Sequence, residues 1–157
     1  MIRPATAADV PDIVRLITAL AVYERLPFEV TLDPERLAND LFGPRPYAEV
    51  LLVEVAGRVV GLAFFFHNYS TFGGKPGIYL EDLFVEPEHR GQGYGKALLV
   101  ALAKLAVERD CGRLEWSVLD WNEPSIQFNK KLGAVAKDEW TTYRLNGDAL
   151  TALAAGT

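Results

Sequence analysis

The chain has 157 residues, half of them hydrophobic, and carries a formal net charge of −5. That length and apolar content suit one domain, 1–157, around one core. The acidic balance argues against a nucleic-acid surface, and a single cysteine, Cys111, excludes an internal disulfide or a cysteine-based metal cluster.

Met1 to Arg3 reads as a short strand and Thr6-Ala7-Ala8-Asp9 as a helix start. Ile13, Leu16, Ile17 and Leu20 then recur at helical spacing up to about Tyr23. Arg3, Pro4 and Asp9 interrupt the N-terminus, so no signal peptide is expected. No 18-residue apolar run occurs either, so the chain is expected in the cytoplasm and off the membrane. Asp33 as N-cap and Pro34 at the first position open a shorter helix ending at Phe42. Val50–Val55 and Val59–Phe66 are β-rich runs joined by the tight turn Ala56-Gly57-Arg58. Asn68 to Pro76 reads as a loop leading into a strand at Ile78–Val85. A long amphipathic helix follows from about Tyr94 to Arg109, then a strand from Leu114 to Val118. Asn122–Leu132 reads as a helix with Pro124 in its first turn and Gly133 at its end. Ala134–Ala136 and Trp140–Leu145 are expected to form a closing hairpin, and Asp148–Ala154 a terminal helix. This order predicts an α+β fold, a sheet wrapped by helices, without repeats or an interdomain linker.

The most informative stretch lies between the Ile78–Val85 strand and the long helix: Val85-Glu86-Pro87-Glu88-His89-Arg90-Gly91-Gln92-Gly93-Tyr94-Gly95-Lys96. Glycines let backbone approach a ligand closely, and the first N–H groups of a helix have no partner inside it. Arg90 and Lys96 add positive charge. The segment is built to hold phosphate, and its spacing matches neither the dinucleotide fingerprint nor the nucleoside-triphosphate loop.

Arg90-x-x-Gly93-x-Gly95 after a strand resembles the acetyl-CoA pyrophosphate signature of the GNAT (Gcn5-related) N-acetyltransferases. Further segments resemble the diamine (spermidine/spermine) and thialysine acetyltransferase branch: Ile2 to Asp9, Tyr23-Glu24, Tyr79-Leu80-Glu81-Asp82, and Trp121-Asn122-Glu123-Pro124-Ser125-Ile126. The resemblance implies a GNAT fold: a central mixed, mostly antiparallel sheet flanked by helices, with acetyl-CoA bound between splayed central strands. It also implies a homodimer, an acetyl-CoA co-substrate and no metal. The two histidines, His67 and His89, show no ligand spacing.

Acetyl transfer from a thioester to an amine requires a held donor, a neutral amine, a stabilised oxyanion and a departing thiolate. By resemblance, Arg90, Gly91, Gln92, Gly93, Tyr94, Gly95 and Lys96 hold the pyrophosphate. Backbone groups of Leu83, Phe84 and Val85 pair with the pantetheine arm, one N–H facing the thioester oxygen. Asn122 and Ser125 also hold the donor. An alkyl ammonium of pKa near 10 is almost fully charged at neutral pH and is no nucleophile, so a proton acceptor is needed. Glu81 and Asp82 occupy adjacent strand positions, and regular alternation points them to opposite faces. The resemblance assigns to Glu81 the binding of the amine and the receipt of its proton through water. Tyr23 and Glu24 match the amine-recognition pair, with Asp82 as a further substrate contact; an aromatic face with a carboxylate suits an ammonium or a methylene chain. Glu139 lies near another acidic position of the family.

One position departs from the pattern. The family carries Phe-Tyr-Lys where this chain reads Phe128-Asn129-Lys130, so Asn129 stands where a tyrosine protonates the leaving thiolate. A neutral amide hydrogen-bonds sulfur but donates no proton to it. Tyr143, Tyr79 or a water are the substitutes. The expected activity is acetylation of a primary amine on a small molecule of diamine, polyamine or amino-acid type. The alternatives are a protein, peptide or antibiotic acceptor, or a weakly catalytic CoA-binding protein.

Overall fold

The structure, a computed structural model, describes residues 1–156. They divide into two compact units, Met1–Leu119 and a C-terminal unit that begins at Asp120. The first unit is built on a five-stranded sheet of β1 (Ile2–Pro4), β2 (Glu49–Val55), β3 (Arg58–Ser70), β4 (Lys75–Val85) and β5 (Leu114–Trp116), in sequential order. The first four strands pair antiparallel and β5 runs parallel to β4. Parallel neighbours need a long crossover, supplied by α3 (Tyr94–Glu108). The mixed, mostly antiparallel sheet is therefore the one expected.

Helix α1 (Val10–Tyr23) places Ile13, Leu16 and Leu20 against Val50, Leu52, Val59, Leu62 and Phe84 of the sheet, with Leu41 of α2 (Pro34–Phe42) closing the cluster. Asp33 caps α2 by accepting from the Glu35 N–H at 3.2 Å, as the sequence predicts. Helix α3 buries Leu98, Leu99, Leu102 and Ala106 and touches β1 through β5. Ala56 and Gly57, both at positive φ (50° and 79°), turn β2 into β3; this backbone twist matches the twist of a hairpin.

Two expectations need correcting. Asn68 to Pro76 is not one loop: β3 runs on to Ser70, β4 starts at Lys75, and these two residues pair, leaving only 71–74 as the turn. In the C-terminal unit, α4 (Glu123–Lys131) and α5 (Gly147–Ala154) form, but the closing hairpin of Ala134–Ala136 and Trp140–Leu145 does not. Its alternation of polar and apolar residues is a pattern that becomes a strand only where another strand accepts its hydrogen bonds. Trp140 and Tyr143 lie exposed. Among the described residues no helix is long and apolar enough to cross a membrane.

Candidate active site

The loop between β4 and α3 has the geometry of an anion cradle. Gly91 and Gly93 adopt positive φ of 76° and 86°, a conformation that L side chains rarely adopt. A Cβ added at Gly91, Gly93 or Gly95 would meet no atom within 4 Å, so the backbone there is open to a ligand. Gly93 is also the N-cap of α3: its carbonyl accepts from the Ala97 N–H at 2.9 Å, leaving the N–H groups of the first turn to an outside acceptor. Gln92 and Lys96 are exposed and Tyr94 half-buried beside it. These residues fit a pyrophosphate.

Next to this loop the sheet comes apart. The β4–β5 ladder pairs Ile78, Tyr79 and Leu80 with Leu114, Glu115 and Trp116 and ends there. Residues Glu81 to Val85 continue β4 without β5 alongside, while Leu83, Phe84 and Val85 remain paired to Ala63, Leu62 and Gly61 of β3. One edge of the Leu83–Val85 backbone thus lacks a strand neighbour in the sheet, the condition for an extended ligand to add to it.

Arg90 is held at the base of the loop. Its Nε donates to the Val85 carbonyl at 2.9 Å, and its guanidinium carbon lies 4.9 Å from the Tyr23 ring centre and 5.2 Å from that of Phe84. Such stacking of a guanidinium on ring faces is attractive through the ring quadrupole. Sequence reasoning assigned Arg90 to the donor and Tyr23 to the amine; the structure brings the two side chains together.

The carboxylates are arranged by a β-bulge. Asp82 pairs with Phe64 and Leu80 with Phe65, so Glu81 is the extra residue opposite no partner. Phe64 and Phe65 are adjacent and face opposite sides of the sheet. Leu80 and Asp82, which a regular strand would put on one face, therefore separate, and Asp82 turns to the side of Phe64, which packs on the α1 cluster. The bulge thus interrupts the regular alternation from which opposite faces for Glu81 and Asp82 were expected. Glu24, at the end of α1, joins them. Burial, then the charges of Glu81 and Glu24, push the Asp82 carboxyl up to about 6, and burial followed by the Glu81 charge raises Glu24. Asp82 and Glu24 are half-buried and Glu81 is exposed. Arg25, at φ 65°, ends α1 and turns the chain just after Glu24.

Each of the other candidates has its own local contacts. Tyr79 stacks on Phe66 at 5.3 Å and shares a 2.6 Å hydrogen bond with the Ser117 hydroxyl. In the C-terminal unit, the buried Asn122 caps α4, its side-chain oxygen 3.5 Å from the Ser125 N–H. The Asn129 carbonyl accepts from the N–H groups of Leu132 and Ala134 at the end of that helix. Glu139 is exposed and pairs with Lys137 at 3.0 Å.

Sequence reasoning overlooked Glu86, which Arg15 and Arg58 clasp directly in front of the loop. Its only signal was a carboxylate between an apolar strand and Pro87. Glu86, Glu88 and His89 also bring potential ligand atoms within 4.8 Å, although the histidines looked scattered. The two guanidiniums already engage Glu86.

An opened mixed sheet, glycines at a helix N-terminus and an acidic group at the parted strand suit an anionic ligand beside a cationic one. The model of the acetyltransferase (GNAT) family matches residues 14–134. A thialysine N-epsilon-acetyltransferase of Bos taurus is 38% identical over 98% of this chain and 96% of its own. An L-ornithine N5-acetyltransferase of Arabidopsis thaliana is 35% identical over 97% and 86%. Among solved structures, an integron cassette protein of V. cholerae matches with a TM-score of 0.82 and 27% identity over 98% and 96% of the two chains. An aminoglycoside acetyltransferase from a soil metagenome shares the fold at TM-score 0.78 and 18% identity, over 94% and 96%. The chain belongs to the GNAT acetyltransferase family. It is an acetyl-CoA-dependent acyltransferase that acts on an amine.

Proposed function

We propose that the protein acetylates a primary amine of a small diamine, polyamine or amino acid by direct attack on acetyl-CoA, with Glu81 assisting amine deprotonation. The observation that carries this reading is the mutual influence of Glu24, Glu81 and Asp82 around the bulge in β4. Three carboxylates with an aromatic face nearby attract a cation and leave little place for a neutral acceptor. The relatives named for thialysine and ornithine support an amino-acid or diamine acceptor.

In this reading Arg90 to Lys96 hold the pyrophosphate, and Leu83, Phe84 and Val85 line the pantetheine arm and face the oxyanion. Tyr23, Glu24 and Asp82 receive the amine. Asn122 and Ser125 hold the donor, and Asn129 hydrogen-bonds the departing sulfur. The family match runs across residues 119 and 120, which supports a single acetyltransferase domain over 1–157. The reading includes a homodimer in the cytoplasm, with no nucleic acid, membrane or metal.

Glu81→Gln tests the role of the carboxylate. Turnover should fall about 10²-fold or more, the usual size of a lost general base, while acetyl-CoA binding by calorimetry stays within about twofold. Equal loss of both would refute the assignment.

A further inference from the structure

The residue that starts the donor loop is gripped more firmly than any residue within it. Glu86 follows β4 directly, and its side chain is only 10% exposed. One carboxylate oxygen accepts from Arg15 Nη1 on α1, and both are within reach of Arg58 Nη2 at the start of β3, at 3.0 and 3.3 Å. Arg15 in turn donates to the Val59 carbonyl at 2.8 Å and to Asp12 at 3.0 Å. The Glu86 backbone is fixed as well: its N–H donates to the Val60 carbonyl at 2.8 Å, and its carbonyl accepts from the His89 N–H at 2.9 Å.

This node joins three parts of the first unit. Arg15 belongs to the helix that ends in Tyr23 and Glu24, Arg58 to the β2–β3 turn, and Glu86 to the strand that leads into the glycines. Burial pushes the Glu86 carboxyl up, but the two guanidiniums outweigh it and hold the group ionised below its ordinary value. Charge-assisted bonds of this kind are short and strong, and removing one partner strands the others. Four residues on, Arg90 Nε returns to the Val85 carbonyl. The turn from Val85 to Arg90 is thus pinned at both ends before the backbone enters Gly91 and Gly93.

We propose that Glu86 is a positioning residue for the acetyl donor: clasped by Arg15 and Arg58, it sets the path by which the Gly91–Gly95 backbone meets the pyrophosphate. It touches neither substrate, and it acts on the donor rather than on the amine. The inference rests on the reading of the loop as the donor site.

The test combines calorimetric binding of CoA with steady-state kinetics on Glu86→Gln, which keeps size and removes charge, and on Arg58→Ala, whose side chain is largely exposed. Glu86→Gln should raise the CoA dissociation constant and the acetyl-CoA KM about tenfold, the order expected when a supporting group loosens a site. The amine KM and the kcat at saturation should stay within about twofold. Arg58→Ala should raise the same two constants about threefold. A folded Glu86→Gln with wild-type CoA affinity, or with equal damage to both KM values, would overturn the inference. Should Glu86→Gln not fold, Arg58→Ala decides alone: unchanged CoA affinity would overturn the inference. A wild-type protein that binds no CoA would instead defeat the reading of the loop itself.

Discussion

The guanidinium of Arg90 lies 4.9 Å from the centre of the Tyr23 ring, and this contact ties the donor loop to the end of the first helix. Beyond the amine-facing role proposed for it, Tyr23 thus supports Arg90. Tyr23→Ala should raise the KM for acetyl-CoA as well as for the amine, by about three- to fivefold for the donor, the loss of one partly exposed cation–π contact. Tyr23→Phe keeps the ring and should leave the donor KM unchanged. Initial-rate kinetics with both substrates varied would show whether the two constants move together.

Asp82 gives the protein a pH signature. Its unfolded-state value is 3.8 and its folded value about 6, because burial and the charges of Glu81 and Glu24 disfavour the ionised form. Below pH 3.8 the group is protonated in both states. As pH rises through 6, the unfolded chain has already released its proton and the folded one must follow, so this contribution to stability is lost. Asp82→Asn should therefore stabilise the protein at pH 8 by about 3 kcal/mol and change little at pH 3.5. Urea unfolding at the two pH values measures the difference.

By the resemblance, Asn129 takes the place of a tyrosine that protonates the thiolate. Asn129→Tyr should raise kcat near neutral pH, by about tenfold, since a thiol of pKa about 8.5 is a tolerable leaving group without an acid. The gain should shrink toward pH 9, where the departing thiolate needs no proton. A pH profile with no gain at any point would mean that another group already protonates the sulfur.

The core offers a check on the scaffold that carries the site. Leu16 is fully buried between α1 and the sheet. Leu16→Ala should cost about 2–5 kcal/mol, read as a fall in the urea midpoint at unchanged slope.

Much of this architecture was legible in the chain. Asp33-Pro34, Ala56-Gly57 and Gly93-Tyr94 mark a cap, a turn and a helix start by local chemistry alone, and all three form as expected. The glycine loop was legible for the same reason. Long-range pairing was not. Alternation along Tyr79-Leu80-Glu81-Asp82 contains no sign of the bulge, which arises from how β4 registers against Phe64 and Phe65. Trp140 to Leu145 has a strand pattern, but a pattern cannot supply a pairing edge. Glu86 escaped notice because its partners, Arg15 and Arg58, are 71 and 28 residues away along the chain.

The central claim, acetylation of a small cationic amine, is tested most directly by thiol release from acetyl-CoA against a panel of acceptors. The panel holds spermidine, putrescine, thialysine, lysine, ornithine and a short peptide, assayed from pH 7 to 9.5. The account predicts turnover with one or more of the small amines, rising toward alkaline pH as more amine is neutral, and little with the peptide. Tight acetyl-CoA binding without turnover on any small amine, or preference for the peptide, would contradict it.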